Sequence, residues 1–193
     1  MTIQHKILER YETQFGVPSR RARFDVDNHR MEICKWSAES SGEGVAIYAT
    51  LGASGRPPHA LPTTHRHEYF IGLNPERDDV ARALAVLGIH EARQREELDH
   101  GHALTLDWPL WEGAQFRTFL VMRQRGEIIP TLSLPDGLHV EFLQAIPVFD
   151  SELDFKRIHG VDALVRHWAD GQVAFWDPMR VAEPSPTRPS PLR

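Results

Sequence analysis

Apolar side chains near the start of the chain recur at the spacing of one face of a helix. Over residues 2–15 they fall every three or four positions, from Ile3 to Phe15, which is the period of an amphipathic helix. Gly16 and Pro18 follow, and these residue types commonly end helices. The pattern predicts that the chain opens with a helix over residues 2–15.

The middle of the chain contains runs that alternate in polarity or are rich in β-branched residues, and such runs predict strands. The run at 116–122 is apolar at nearly every position, as expected for a strand inside a sheet. Asp27-Asn28 is predicted to form the turn between the first two strands. The predicted strands cover residues 22–26, 30–36, 45–51, 69–73, 104–108, 116–122 and a stretch that begins at 138.

A further helix is predicted between two of these strands. Asn74 is a residue type that caps helices, and Pro75 suits a first helical turn because its missing N–H is not needed there. Apolar residues then follow on one face as far as Leu87. Gly88 weakens the pattern, and residues 89–98 are predicted to continue the helix at an angle.

Residues 138–168 form the most organised run in the sequence. An apolar strand runs into Pro147, and a helix with acidic residues in its first turn is predicted to begin at Ser151. Gly160 fits the C-cap of that helix, and a second short helix follows it. The run contains no nucleophile and no phosphate loop, which points to a scaffold that recognises a partner.

Helices and strands are interspersed along the chain without a regular βαβ rhythm. This favours an α+β fold in which helices flank a central mixed or antiparallel sheet. The length of 193 residues suits a single domain. We predict that the domain covers residues 1–181 and that the Pro-rich segment 182–193 is a disordered tail.

Charge and hydropathy exclude two classes of partner. The net charge of -5 disfavours nucleic acid, because neutralising phosphates requires a basic surface. The basic cluster Arg20, Arg21 and Arg23 is interpreted as a solvated turn. The N-terminus lacks the apolar core of a signal peptide, and no window holds the ~18 apolar residues of a membrane span. We therefore predict a cytoplasmic protein without a membrane partner.

Candidate nucleophiles are few. Cys34 is the single cysteine, so no internal disulfide is predicted, and its alternating surroundings indicate a half-buried thiol. Ser54 lies in Gly52-Ala53-Ser54-Gly55, which falls one residue short of the G-x-S-x-G motif. Phosphate-loop motifs are absent. The sequence therefore predicts no catalytic residue and no cofactor.

The histidines suggest an alternative function. Two H-x-H pairs are present, and on a strand this spacing puts both imidazoles on one face, where they can share a metal ion. His59 and Glu68 would add ligands. A metal-dependent enzyme is therefore the alternative to a binding module, although we favour reading these residues as surface or hydrogen-bonded histidines. The pairs are His65 with His67 and His100 with His102.

Three stretches together resemble the suppressor of fused domain family. The first combines a T-x-G-x-S segment with a later strand that begins with Glu. The second is a Gly-His pair at the start of a strand. The third resembles the C-terminal part of the family's sequence pattern. They occur in the family's order between Ile7 and Arg180. The stretches are Thr50-Leu51-Gly52-Ala53-Ser54 with Glu68-Tyr69-Phe70-Ile71-Gly72-Leu73, Gly101-His102-Ala103-Leu104 with the strand at 118–122, and Ile146-Pro147, Glu152-Leu153, His159-Gly160 and Leu164.

The resemblance implies an α+β fold and a non-enzymatic role in binding another protein. Animal relatives bind and sequester a zinc-finger transcription factor, and they carry a second lobe for which this chain is too short. Bacterial single-domain relatives resemble immunity proteins, which bind and neutralise a cognate toxin. We therefore expect a protein partner, and specifically a cognate toxin, and leave the oligomeric state open.

The resemblance leaves the loop at 52–64 free to vary, so we expect partner contacts there. The candidate contact residues are Arg56 and His59 of this loop and, as an interface anchor, Trp111. Glu152 and His159 are assigned to capping and packing and not to catalysis. Addition of an extended peptide to an exposed sheet edge is a further alternative.

Overall fold

The computed structural model describes residues 2–26, 29–55, 64–94, 96, 98–135 and 137–182. The predicted turn at Asp27-Asn28, most of the loop at 52–64 and the tail after residue 182 lie outside these residues. The helices are α1 (Ile3–Phe15), α2 (Ala38–Ser41), α3 (Val80–Gln94), α4 (Asp150–His159) and α5 (Val161–Asp170). The strands are β1 (Arg20–Val26), β2 (His29–Trp36), β3 (Ala46–Leu51), β4 (His65–Leu73), β5 (Ala103–Thr105), β6 (Thr118–Met122), β7 (Leu132–Ser133) and β8 (His139–Val148).

The predicted first helix is confirmed. Thr2 caps α1, since its Oγ1 accepts a hydrogen bond from the His5 backbone N–H at 3.3 Å. Gly16 ends the helix with φ of 76°, and its N–H donates to the Glu12 carbonyl at 2.9 Å. None of the helices in the described part of the chain has the length and apolar content needed to cross a membrane.

The strands form one mixed sheet with the order β1-β2-β3-β4-β8-β6-β5, and β7 pairs with β8 beside this path. Among the described strands, β4 and β8 form the one parallel pair, and the other neighbours are antiparallel. The parallel pair therefore joins two antiparallel halves at the centre of the sheet. Helices flanking a mixed sheet confirm the predicted α+β fold.

Helices cover both faces of the sheet. On one face α3 packs over a core that includes Leu143 and Ala145 of β8. On the opposite face α1 packs near Phe142, and α5 packs near Ile146. Successive residues of a strand point to opposite faces, so β8 contributes to the cores on both sides. Its nearly continuous burial explains why its sequence becomes apolar on both faces.

The predicted helix start after β4 is wrong. α3 begins at Val80, not at Pro75. Asn74 does not cap the helix: its side-chain amide donates to the Gly44 carbonyl and its backbone N–H donates to the Trp176 carbonyl, both at 3.0 Å. Asn74 therefore joins three loops at one end of the sheet.

The predicted bend at Gly88 is also wrong. α3 runs continuously through Gly88 and ends at Gln94, so it does not extend to residue 98. A Cβ atom at Gly88 would lie 2.9 Å from Thr50 Cγ2 and 3.0 Å from Met31 Cε. Glycine is present here because α3 approaches the sheet too closely for a side chain.

The boundaries of α4 differ by one residue from the prediction. The helix begins at Asp150 and not at Ser151, after Phe149 in extended conformation. The Glu152 carboxylate accepts the Phe149 backbone N–H at 2.8 Å, so an acidic residue does satisfy a donor at the helix start. The predicted capping role of Glu152 is confirmed.

Strand β5 is shorter than the sequence pattern indicates, and strand β7 was not predicted. β5 ends at Thr105 instead of continuing through Trp108, and Pro109 follows, which cannot donate a ladder hydrogen bond. β7 contains only Leu132 and Ser133. Two residues are too few to produce a periodic pattern, so the sequence does not predict this strand.

We propose that the domain ends at residue 181, and deletion tests this boundary. Deleting residues 183–193 is expected to change the free energy of unfolding by less than about 0.5 kcal/mol, because this deletion keeps Arg180 and its buried hydrogen bonds. Deleting from residue 177 onward removes Arg180 and is expected to be strongly destabilising. Chemical denaturation of both truncated chains measures the difference, and equal stabilities would contradict the boundary.

Candidate functional site

β5 is an edge strand among the strands that the structure describes. Its neighbour is β6, and the Leu106 N–H donates to the Arg117 carbonyl at 2.8 Å. Because the backbone groups alternate along a strand, Ala103 and Thr105 direct their N–H and C=O groups away from β6. In the described part of the chain no strand pairs with this side of β5, so these groups can pair with another chain.

A cleft of about 640 Å³ lies between β5 and α3 and extends to the end of β1. Its apolar floor is formed by half-buried side chains that pack on the core of the α3 face. Charged and polar side chains stand at its rim. The floor residues are Phe24, Val86, Leu104 and Trp108, and the charged or titratable rim residues are Asp25, Arg82, His90, Arg93 and Asp107.

The rim is close to electrically balanced. Two arginines and two aspartates line the cleft, and burial lowers the pKa of His90, which favours its neutral imidazole. The Arg82 guanidinium lies 5.1 Å from the centre of the Trp108 ring, which restrains both side chains. An apolar floor with a mixed rim suits a peptide and not a polyanion.

This cleft was not predicted from the sequence. Trp111, the expected interface anchor, is 3% exposed and packs in the core with its ring centre 5.3 Å from that of Phe116, so it offers no surface to a partner. Trp108 is the tryptophan that reaches the cleft. Arg56 and His59 lie outside the described residues. The sequence signal that points to the cleft is the alternation of apolar and polar residues over Leu104–Trp108. Such alternation indicates a strand with one exposed face.

A buried carboxylate organises the turn that begins the loop at 52–64. Glu68 has no exposed surface, and its oxygens accept hydrogen bonds from five donors. Burial raises the pKa of Glu68, and hydrogen bonds from Ser54 and Thr50 oppose this change without cancelling it. The donors are Thr50 Oγ1 at 2.5 Å, Ser54 Oγ at 2.6 Å, and the backbone N–H groups of Gly52 at 3.0 Å, Ala53 at 3.3 Å and Ser54 at 3.0 Å.

Two residues with nucleophilic side chains are buried in structural positions. The Ser54 hydroxyl donates to Glu68 and is 1% exposed. Cys34 is fully buried, and burial raises the pKa of its thiol to about 12, so the reactive thiolate is negligible at neutral pH. Neither side chain is available to attack a substrate.

The four candidate histidines occupy different environments. His65 is exposed, and its ring centre lies 6.0 Å from that of His139. His100 Nδ1 accepts the Arg123 backbone N–H at 3.1 Å, and His102 Nδ1 accepts the Asp99 backbone N–H at 3.2 Å. These two imidazoles therefore hold the loop that leads into β5.

His67 is the candidate that lies among other ligand-type side chains. It is buried, and of the residues described it groups with Asp99 and Glu141 such that one ligand atom from each lies within 4.8 Å of the others. Neither carboxylate was predicted from the sequence as a metal ligand. The strand register that places Glu141 opposite His67 cannot be read from spacing along the chain.

The family model for "Suppressor of fused protein (SUFU)" matches residues 26–181. The chain belongs to the suppressor of fused family. The match covers most of the α+β domain, and it confirms the resemblance seen in the sequence. No curated protein sequence matches the chain.

Solved structures of suppressor of fused proteins share this fold at low sequence identity. A protein described as a SUFU homologue from Neisseria gonorrhoeae aligns with a TM-score of 0.68 and 16% identity over 93% of this chain and 95% of that one. A chain of the Sufu-Fu complex aligns with a TM-score of 0.62 and 14% identity over 84% of this chain and 82% of that chain. Drosophila Suppressor of Fused aligns with a TM-score of 0.60 and 14% identity over 85% of this chain and 45% of that chain.

The family consists in general of non-catalytic binding proteins, and one of the similar structures is a complex with a protein partner. The stretches that carried the suppressor of fused resemblance have structural roles in this chain. Glu68 binds the T-x-G-x-S turn, and Gly101 adopts a φ of 85° at the entry to β5. Glu152 binds the start of α4.

Proposed function

We propose that this suppressor of fused domain is a non-enzymatic binding module that holds an extended segment of a partner protein in the cleft between α3 and β5. The observation that carries the proposal is the outer side of β5, which no described strand pairs with and which lies beside an apolar floor. An added strand satisfies its backbone groups on such an edge, and alternate side chains of the segment enter the neighbouring pocket.

The cleft favours a peptide with an apolar residue at its centre. Leu104 and Trp108 lie on its floor, so a central side chain of the partner would be desolvated there. Arg82 and Asp107 stand at the rim, where charge pairs select partners more than they add affinity. The bound segment is therefore expected to carry an aliphatic or aromatic residue between polar ones.

A non-enzymatic role is consistent with the chemistry of the candidate nucleophiles. Ser54 and Cys34 are enclosed in the fold, and the cleft floor is apolar. A module of this kind acts by occlusion, because a partner held along one face cannot present that face to its own target.

We propose that the partner is a cognate toxin and that the chain is an immunity protein acting in the cytoplasm. The proposal is supported by the resemblance to bacterial single-domain relatives and by the alignment with 95% of the Neisseria gonorrhoeae homologue. The net charge of -5 suits a basic partner, since complementary charge speeds association. A toxin gene beside the gene for this chain would identify the partner to test.

The immunity proposal is tested by co-expression with the product of the neighbouring gene. We expect the two proteins to co-purify and the toxin to lose its activity in the presence of an equimolar amount of this chain. A toxin that stays fully active with excess of this chain would rule out that pair.

Variants of β5 test the binding face within the same assay. Ala103→Pro removes an N–H that points away from β6, so we expect at least a tenfold loss of partner affinity with little change in thermal stability. Ala103→Ser keeps this N–H and is the matched control. Trp108→Ala removes part of the floor and provides an independent variant if the proline disturbs folding. Unchanged affinity in both Ala103→Pro and Trp108→Ala would place the partner elsewhere.

A further inference from the structure

Three potential metal ligands meet at the base of the parallel strand pair. His67 of β4 lies opposite Glu141 of β8 in the strand register, so both side chains point to the same face. Asp99 approaches from the loop between α3 and β5. One ligand atom from each of the three residues lies within 4.8 Å of the others.

The imidazole of His67 is oriented by a fourth residue. His67 Nδ1 lies 3.3 Å from Glu91 Oε1, and both side chains are buried. Glu91 is itself held by the Tyr69 hydroxyl at 2.7 Å and by the Leu98 backbone N–H at 3.2 Å. A carboxylate that accepts from one ring nitrogen sets the tautomer of the histidine, and this is the usual support of a metal-binding imidazole.

We propose that His67, Asp99 and Glu141 bind a divalent transition-metal cation, with Zn²⁺ as the expected type. One imidazole nitrogen and two carboxylate oxygens are a ligand set that suits zinc and its neighbours better than calcium or magnesium, which take oxygen ligands alone. Three protein ligands leave a fourth position for water. This site is separate from the proposed peptide cleft and does not depend on it.

Arg123 provides the counter-charge when no cation is bound. Its guanidinium pairs with Asp99 Oδ2 and with Glu141 Oε1, each at 3.2 Å, and its side chain is 58% exposed. A cation on the same carboxylates replaces this guanidinium, which can swing into solvent. Arg123 therefore competes with the metal, and removing it is expected to tighten binding. If the salt bridges of Arg123 only stabilised the fold, its removal would not be expected to tighten metal binding.

Binding would connect three segments that the sequence keeps apart. His67 lies on β4, Glu141 lies on β8, and Asp99 lies in the segment that leads into β5. A ligand that binds the folded state but not the unfolded chain raises the free energy of unfolding. A rise in thermal stability with added Zn²⁺ is therefore expected, and chelation should reverse it.

The test is a Zn²⁺ titration of the full chain purified without an affinity tag, followed by calorimetry or a chromogenic chelator. We expect one equivalent of Zn²⁺ to bind. Replacement of Zn²⁺ by Co²⁺ should give the visible absorption of a low-coordinate site.

The variants assign the ligands. Asp99→Asn combined with Glu141→Gln is expected to lower Zn²⁺ affinity at least tenfold, and Arg123→Ala is expected to raise it. His65→Gln changes an exposed histidine of the same strand and is the matched control, with affinity unchanged. The proposal is overturned if the wild-type chain binds no Zn²⁺ stoichiometrically, if the double variant binds as well as wild type, or if Arg123→Ala weakens binding.

Discussion

Replacing Glu68 with alanine is expected to lower the free energy of unfolding by about 4 kcal/mol or more. The substitution removes a fully buried carboxylate that accepts five hydrogen bonds. Each donor left buried without a partner costs about 1–3 kcal/mol, and water entering the cavity offsets only part of this. The Ala53–Gly55 turn is expected to lose its structure first, because three of the donors are its own or the preceding backbone N–H groups.

Glu68→Gln is the matched control, and its effect is expected to be intermediate. An amide keeps one oxygen, which can serve the three donors now bound to Oε1, but its NH₂ group then faces the Ala53 N–H. The Thr50 hydroxyl also loses its acceptor, while its oxygen continues to accept the Tyr69 N–H. We expect a loss of about 2 kcal/mol.

Urea denaturation followed by tryptophan fluorescence gives the unfolding free energies of the three proteins. The expected order of stability is wild type, Glu68→Gln and Glu68→Ala. An alanine variant within about 1 kcal/mol of wild type would show that the hydrogen bonds at this turn contribute little to stability.

Arg180→Ala is expected to cost about 3–5 kcal/mol, which is the usual effect of breaking a buried ion pair from one side. The Arg180 guanidinium binds both oxygens of Glu152, at 2.8 and 2.9 Å, and donates to the Pro147 carbonyl at 2.7 Å. It also lies 4.9 Å from the Phe116 ring centre and 4.6 Å from that of Phe149. The alanine variant leaves the Glu152 carboxylate in a largely buried site without its cation.

A double-mutant cycle measures the coupling energy between Glu152 and Arg180 separately from their other contacts. Glu152 also accepts from the Trp168 indole N–H at 2.8 Å, so Glu152→Ala alone has several effects. The double variant Glu152→Ala with Arg180→Ala is expected to cost at least about 2 kcal/mol less than the sum of the single variants. Additive losses would contradict a coupled pair.

Arg157→Ala is the control for an exposed ion pair. Arg157 binds Asp154 at 2.9 Å, and both side chains are 65% exposed. Solvent screens such a pair, so the expected change is below about 0.5 kcal/mol. Comparison of Arg157→Ala with Arg180→Ala measures how strongly burial changes the contribution of an arginine–carboxylate pair to the free energy of unfolding.

Much of this fold follows from local patterns in the sequence. The first helix, the apolar strand at Thr118–Met122 and the strand that runs into Pro147 all have the period that their structures require. Each of these elements packs against one apolar core or is buried on both faces. Their hydrophobic period therefore reports their structure directly.

The predictions that failed concern residues whose partners are distant in sequence. Asn74 has the chemistry of a helix cap, but carbonyls of two other loops accept its donors. Gly88 has low helix propensity, yet the close approach of Thr50 requires it within a continuous helix. Helix propensity describes an isolated segment, whereas tertiary contacts determine the structure at both Asn74 and Gly88.

The two candidate sites could not be predicted from the sequence for a related reason. The cleft combines α3 with β5, and the metal-type cluster combines His67 with Glu141 through a parallel register. Each H-x-H pair was visible in the sequence, but the carboxylates that join His67 come from other elements. Only the topology shows which acidic residues meet a given histidine.

The parallel pairing of β4 with β8 also has a consequence for the order of folding. Strands β1 to β4 are neighbours both in sequence and in the sheet, so they can assemble by closing short loops. His65 of β4 pairs with His139 of β8, and this contact must close a long loop, which costs chain entropy and slows folding. During synthesis, the centre of the sheet therefore stays open until most of the chain has left the ribosome.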